Sequence, residues 1–352
     1  MPFRKVFTLL VAICLSLGAH PGAADELDRA RLAELSGSER LRLRAYGQAL
    51  SNDALPHSLL PLMRQRMVRQ GYYVDRGQAA LVAQETWGAP LLAWDGNING
   101  GVLQDRFVWN GLVFEADQDY RAKVGIVAGA SAGAILRYGW DTGRIIELQG
   151  GAELGWSPAH DIGRADLMLS VCSQNHLAGW SFLDLCAANH RSWRQLGSVS
   201  AGQVSAVYSR IIPASQGLHE LGFGYIRAFA DEEPQNRMLL SAESVWNWTL
   251  TKLTITLGQA IDDTTALRHR IEAKVGWIGS NRGWVLDLWS QQAAGGLFLG
   301  AKRQDHAQGI GLTTDLLSGA SIRLGYLDSR SSAGIANYEQ MTLDIQFSQF
   351  RW

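Results

Sequence analysis

The hydrophobic pattern of the chain changes near residue 90. Before that point, four stretches rich in Ala, Leu, Arg and Gln have helical character: Glu26–Leu35, Glu39–Leu50, Leu59–Gln70 and Gln78–Trp87. Asp75 is a suitable N-cap for the fourth stretch. The arginines in these stretches predict solvated helix faces, with a membrane-facing or partner-facing role as the alternative.

From about Leu91 onward, apolar and polar residues alternate with the period of two that is typical of strands. In the stretch 123–140, every even position from Val124 to Trp140 is apolar, and mostly Gly, Ser, Lys and Arg lie between them. Asp141, Thr142 and Gly143 then form a predicted turn. The same alternation returns in 146–157, 267–277, 320–326 and 341–348.

A soluble β-sandwich would also alternate, but three features favour a membrane β-barrel. The strands follow one another as hairpins without helical crossovers, and the chain ends on the aromatics Phe350 and Trp352. Aromatic residues also flank many apolar faces, as in an interfacial girdle: Tyr138, Trp140, Trp156, Trp246, Trp248, Trp277 and Trp284. We therefore predict an all-β transmembrane barrel of about 14 antiparallel strands over residues 88–352, with 12 or 16 strands as alternatives.

The N-terminus predicts export from the cytoplasm. Arg4 and Lys5 precede an apolar run, and small residues end it at Ala24. This order is typical of a signal peptide over residues 1–24, and Cys14 is then an ordinary residue of its apolar core. We expect the barrel in the outer membrane and the short α-helical segment 25–87 in the periplasm.

Composition changes this picture little. The hydrophobic content is 47% and the mean hydropathy is −0.06, values that suit a soluble protein or a barrel with a polar lumen. The 38 glycines suit strands and turns better than helices. The formal net charge of −1 argues against a nucleic-acid-binding surface.

Two cysteines remain after the predicted signal peptide, Cys172 and Cys186. If a hairpin is centred near Gly179, they lie opposite each other on neighbouring strands. In an oxidising compartment this placement predicts a structural disulfide.

No catalytic, metal-binding or cofactor-binding site is predicted. Residues 129–133 match the G-x-S-x-G pattern around Ser131, but that motif needs a strand, a sharp turn and a helix. Here the alternation continues without a break. The histidines show no zinc-binding spacing: His57, His160, His176, His190, His219, His269 and His306. A polar site at His176, Asn175 and Asp184 is an alternative to a solvated loop tip. The mixed-sign set Arg268, Arg270, Glu272 and Lys274 predicts a wet lumen.

Two stretches resemble the C-terminal barrel domain of the surface lipoprotein assembly modifier family. The first comprises Trp94–Gly101 (WDGNINGG), Asn110–Asp117 (NGLVFEAD) and Arg121–Gly125 (RAKVG). The second comprises Leu324–Tyr326, a polar loop from Asp328 to Arg330, and Tyr338–Glu339 before the last strand. The resemblance covers residues 90–352.

That resemblance implies periplasmic helical repeats followed by a 14-stranded outer-membrane barrel that assists the surface display of lipoproteins. It implies a client lipoprotein, outer-membrane lipids and the barrel-assembly machinery as partners. It brings no catalytic residues. This chain differs in its shorter helical segment and in ending on Trp352 rather than phenylalanine.

Three functions therefore compete. The first is a non-enzymatic factor for lipoprotein assembly or translocation, and the second is an outer-membrane pore for small solutes. The third is a lipid-degrading barrel enzyme, for which the sequence offers no convincing serine–histidine pair. A simple pore would not need the helical segment, so that segment favours the assembly factor.

Overall fold

The structure is a computed structural model that describes residues 26–109, 111–230, 233–279, 282–316, 320–347 and 350–351. The predicted signal peptide, Arg4, Lys5, Cys14 and Trp352 lie outside these residues. No helix among them is long and apolar enough to cross a membrane.

Three helices begin the described chain: α1 (Glu26–Ser36), α2 (Glu39–Ser51) and α3 (Leu60–Arg69). The predicted bounds of these three helices agree with the structure to within one or two residues. Ser38 caps α2, because its side chain accepts a hydrogen bond from the amide of Leu41. Short 3-10 turns lie at His57–Leu59, Gln118–Tyr120 and Gly334–Ala336.

The strands are β1 (Ala80–Asp95), β2 (Arg106–Trp109), β3 (Leu112–Glu115), β4 (Gly125–Asp141), β5 (Arg144–Ser157), β6 (Ile162–His176), β7 (Ser181–Arg194), β8 (Gly197–Ala214), β9 (Gly217–Ala230), β10 (Gln235–Trp246), β11 (Thr249–Gly258), β12 (Ala266–Gly279), β13 (Arg282–Phe298), β14 (Ala301–Asp315), β15 (Ser321–Ser331), β16 (Tyr338–Gln346) and β17 (Phe350–Arg351).

The fourth predicted helix, Gln78–Trp87, is wrong, because most of it is the first half of β1. Its composition favours a helix, but propensity is a weak determinant when tertiary pairing is available. β1 pairs with β4 along nearly its whole length, from Ala80 with Gly139 to Asp95 with Gly125. Asp75 caps no helix, since its carbonyl instead accepts the amide of Gln78 in a turn.

Fourteen strands, β1 and β4 to β16, form one closed antiparallel barrel. Each strand pairs with the next along the chain, and β16 returns to pair with β1 between Leu91–Gln346 and Trp94–Leu343. The short β17 also pairs with β1, and β2 and β3 form a separate hairpin. The predicted fold class and strand number are confirmed.

The two ends of the barrel differ. We call the end where β1 begins the entry end; the tight turns 141–144, 214–217 and 246–249 lie there. The other end is the far end, where the longest connection, residues 96–124, joins β1 to β4. The helices precede β1 and therefore enter the barrel from the entry end.

The outer surface carries the apolar band expected of a barrel in the outer membrane. Phe223, Leu240 and Leu324, on three strands, are 47–53% exposed on that face. The predicted girdle residues lie on the same face at strand ends: Trp156 is 48% exposed, and Trp277 stacks on Trp284 with ring centroids 6.3 Å apart.

Candidate functional site: the barrel lumen

The face opposite the apolar band is charged. Directly opposed residues in antiparallel strands share a face, so lumen positions can be followed from strand to strand. One such row crosses five strands: Glu220, Glu243, Lys252, Lys274 and Asp287. The mixture of signs predicted for the lumen is present in this row.

On β11 to β15, the lumen wall forms a basic recess of 320 Å³. Four basic residues line it against two acidic ones: Lys252, Arg270, Lys274 and Arg323, with Glu272 and Asp287. Arg270 donates to Glu272 at 2.7 Å and lies over the ring of Trp289 at 4.6 Å from its centroid. Three residues of the predicted set, Arg270, Glu272 and Lys274, therefore come together here.

The helical segment lies inside the entry end of the barrel, and we call residues 26–75 the plug. Arg40 of α2 is its main polar attachment. Its guanidinium donates to both carboxylate oxygens of Asp184, at 2.5 and 2.9 Å, and lies 3.5 Å from Glu220. It also lies over the ring of Phe182, 4.2 Å from the centroid.

The charge of Arg40 is secured by these contacts. Burial alone lowers its pKa, but the hydrogen bonds and charges of Asp184 and Glu220 outweigh burial and raise the pKa above its ordinary value.

Five apolar residues of the strands face the lumen under the plug, and we call them the apolar collar: Phe182, Ile211, Leu218, Val245 and Leu250. None is more than 4% exposed, and they share one buried cluster with Leu32, Leu41 and Ala45 of the helices. Fully burying one such side chain contributes about 1.5–3 kcal/mol. The collar therefore stabilises the seated plug by on the order of 10 kcal/mol before ordering costs. The burial therefore favours a seated plug.

Further contacts fix the plug around the rim. Arg29 donates to Asn247 in the β10–β11 turn at 2.8 Å, and Arg69 forms an ion pair with Glu85 of β1. After α3 the chain turns at Gly71, where φ is +75° and a Cβ would lie 2.8 Å from the Ile145 side chain. A residue other than glycine would be strained here.

The plug leaves part of the lumen open. A cavity of 1140 Å³ lies between α1 and the wall formed by β1, β4 to β6 and β14 to β16. Glu34 and Asp315 line it at the entry end, and Glu153 and Arg164 line it toward the far end. We call this space the side channel.

The far-end loop is held by buried polar contacts. Asn99 is fully buried, accepts hydrogen bonds from the amides of Lys123 and Gly101, and donates to the carbonyl of Arg121 at 2.8 Å. Beside it, Asp95 forms ion pairs with Arg164 and Arg194. The Asn-Ile-Asn-Gly motif (Asn97–Gly100) therefore has a structural role, which is to hold the loop in place.

The same loop reaches opposite sides of the barrel mouth. The carbonyl of Asn99 accepts the amide of Leu196, between β7 and β8. Phe107 of the β2–β3 hairpin contacts Phe298, the last residue of β13, with ring centroids 6.3 Å apart. In the hairpin, hydrogen bonds and charge from Arg106, and from Arg121 beside it, lower the pKa of Glu115.

Ser131 lies in the middle of β4, in an unbroken strand, and its hydroxyl donates to the carbonyl of Ala89 at 3.4 Å. Ser131 does not have the geometry of a catalytic nucleophile, because no sharp turn and helix follow it.

The predicted loop histidines bond to backbone carbonyls. A ring nitrogen of His176 lies 2.7 Å from the carbonyl oxygen of Gly179, and one of His160 lies 3.0 Å from the carbonyl oxygen of Val124. Within the described ranges, no group of three His, Cys, Asp or Glu side chains could hold a metal ion.

His176, Asn175 and Asp184 do not form one polar site. Asp184 instead belongs to the attachment of Arg40, while Asn175 bonds the backbone of Ser173 and Leu183. Sequence reasoning missed Arg40 as an attachment residue, because its partner is 144 positions away.

Cys172 and Cys186 are paired residues of β6 and β7 and face the lumen, with Cα atoms 4.1 Å apart. Their sulfur atoms lie in contact. The disulfide between them stays a prediction, and its chemical test is given in the Discussion.

No family model and no curated protein sequence matches the chain. Among solved structures, it is similar to the outer membrane protein OprD of Pseudomonas aeruginosa, with 9% identity, a TM-score of 0.40, and coverage of 81% of this chain and 96% of that one. It is also similar to OccAB3 of Acinetobacter baumannii, with 6% identity, a TM-score of 0.42, and coverage of 78% and 100%. A third similar structure is the outer membrane protein OpdK of P. aeruginosa, with 7% identity, a TM-score of 0.40, and coverage of 79% of this chain and 100% of that one.

These findings correct the predicted resemblance to the surface lipoprotein assembly modifier family, which is wrong. No family model matches this chain, and the solved structures to which it is similar include OprD, OccAB3 and OpdK. The predicted role in lipoprotein assembly or translocation is wrong with it, and nothing in these comparisons supports a client lipoprotein as partner. The helical segment that favoured this role is packed against the lumen wall.

Proposed function

We propose that the protein is a non-enzymatic outer-membrane pore for small solutes. The observation that carries the proposal is the side channel, a space of 1140 Å³ with charged walls that runs from the entry end into the far half of the barrel. A charged, water-accessible lumen is the feature that distinguishes a pore from a barrel with a packed interior.

The seated plug limits the size of the solute. Because the apolar collar and Arg40 hold the helices in the lumen, only the space beside them is open to traffic. A folded or extended polypeptide would have to displace the plug, whereas small hydrated solutes would not.

We further propose that the entry end faces the periplasm. Bacterial barrels have short periplasmic turns and longer extracellular loops, and the longest connection, residues 96–124, lies at the far end. Cleavage after Ala24 would then leave the plug at the periplasmic side, and the barrel-assembly machinery would insert the chain into the membrane.

Reconstitution tests the pore directly. Purified mature protein in planar lipid bilayers should carry discrete ionic currents, and proteoliposomes should swell in small sugars but not in large oligosaccharides. Empty liposomes and heat-unfolded protein are the controls. Absence of both current and swelling, with the barrel folded by heat-modifiable gel migration, would contradict the proposal.

A further inference from the structure

A second space lies between the plug and the wall, and we call it the plug–wall cavity. It has a volume of 400 Å³, which falls within the usual range for small-molecule sites. Residues 36–40 and Gln70 of the plug form one side, and lumen-facing residues of β4 to β11 form the other. The cavity therefore exists only while the plug is seated.

Acidic side chains are in excess around this cavity. Five carboxylates line it: Glu39, Glu147, Asp184, Glu220 and Glu243. Three basic side chains line it: Arg40, Arg137 and Lys252. Arg137 pairs with Glu147 at 2.6 Å, and Glu39 pairs with Arg66 of α3 at 2.6 Å. Arg40 is shared between Asp184 and Glu220, so one carboxylate of the wall has no cation of its own. One further positive charge would balance the wall better than a negative or neutral group.

Glu243 is the carboxylate best placed to receive that charge. It is only 7% exposed, and its Oε2 lies 2.8 Å from the Nζ of Lys252. Its Oε1 is buried and has no hydrogen-bond partner among the described residues. An unsatisfied buried carboxylate oxygen is costly, so a donor that reaches it gains free energy. The hydroxyl-bearing residues Ser209 and Ser241 line the same cavity.

We propose that the plug–wall cavity binds a small organic cation, such as a protonated primary amine, through the Glu243 carboxylate. An ammonium group supplies both features that the cavity lacks, a positive charge and N–H donors. The inference rests on the pore function and specifies the class of solute that this pore retains. It also gives the plug a role, because the helices complete the site.

The test uses propylammonium as the probe and propionate as an anion of similar size. In calorimetric titrations of the full-length mature protein in detergent, propylammonium should bind with a saturable concentration dependence, and propionate should not. Glu243→Gln should weaken this binding about tenfold, the usual effect of losing a charge-assisted hydrogen bond. Asp305→Asn is the matched control, because Asp305 is also a lumen-facing carboxylate in an ion pair, with Arg303, but lies near the far end.

Glu243→Gln leaves Lys252 without its partner, which could impair folding. The double variant Glu243→Gln/Lys252→Gln removes the whole pair and should weaken propylammonium binding in the same way. Equal propylammonium affinity of the wild type and both variants, or equal binding of propionate, would overturn the proposal.

Planar-bilayer recording of the same wild-type protein separates the site from the pore. If the wild-type protein carries no current but binds propylammonium in a Glu243-dependent manner, the pore fails and the site stands. If the wild-type protein does not bind propylammonium, the proposed site is refuted.

Discussion

Arg40 shows how one residue attaches an element to the lumen. It combines a bidentate ion pair, a second carboxylate and an aromatic ring at a site where its own side chain is 16% exposed. Bidentate geometry of this kind cannot be reproduced by lysine, whose ammonium is a point charge.

Replacing Arg40 with Ala should loosen the plug without unfolding the barrel. Asp184 and Glu220 would be left as partly buried, unpaired carboxylates, which costs about 2–4 kcal/mol. We expect faster tryptic cleavage within residues 26–75, with unchanged heat-modifiable migration of the barrel. Arg31→Ala is the control, because the Arg31 side chain is 71% exposed and pairs only with Asp28. Equal cleavage rates for the two variants would refute the role of Arg40.

The predicted disulfide between Cys172 and Cys186 can be tested chemically. Because Cys172 and Cys186 are directly opposed in register, oxidation in the periplasm should join them. Closing a loop of about 15 residues should stabilise the fold by about 3 kcal/mol on the chain-entropy model. Thiol labelling of unfolded, unreduced mature protein should detect no free cysteine, and two should appear after reduction. Labelling of both without reduction would show that the bond is absent.

At the scale of elements, the local sequence pattern was enough to predict the helices α1 to α3 and most of the long strands. It was not enough for β1, where helix-favouring composition in Gln78–Trp87 was outweighed by pairing with β4. The location of the plug could not be predicted either. It depends on contacts such as Arg40 with Asp184 and Arg29 with Asn247, which join residues 144 and 218 positions apart.

The β2–β3 hairpin should respond to acid. Hydrogen bonds and charge from Arg106 and Arg121 lower the pKa of Glu115, so its stabilising contribution is complete above the ordinary glutamate pKa. That contribution is lost as the pH falls through the lowered pKa of the folded state. Protease cleavage of the hairpin should therefore rise in acid for the wild-type protein. In Glu115→Gln it should be faster at neutral pH and should change less on acidification. An identical pH profile for both proteins would exclude Glu115 as the cause.

At the scale of the whole molecule, three parts divide the lumen. The plug and apolar collar close one side of the entry end, the side channel stays open on the other, and the far-end loop contacts both sides of the mouth. The sequence pattern predicted the wet lumen through Arg268, Arg270, Glu272 and Lys274. It could not predict the apolar collar, because the partners of its members are plug residues that are distant in the sequence.

If the side channel carries the current, removal of the plug should enlarge the conductance. Deleting residues 26–75 while keeping the signal peptide would merge the side channel and the plug–wall cavity, which measure 1140 and 400 Å³, with the volume of the helices themselves. We expect a several-fold larger single-channel current and passage of larger sugars in liposome swelling.

The deletion exposes the apolar collar to water, at a cost on the order of 10 kcal/mol. A companion variant that also carries Leu218→Ser and Leu250→Ser should restore a wettable lumen and show the same large current. Assembly of each variant is checked by heat-modifiable migration. If both deletions assemble and conduct no more than the wild-type protein, the plug does not limit the path. The constriction would then lie at the far end, where the loop 96–124 contacts both sides of the mouth.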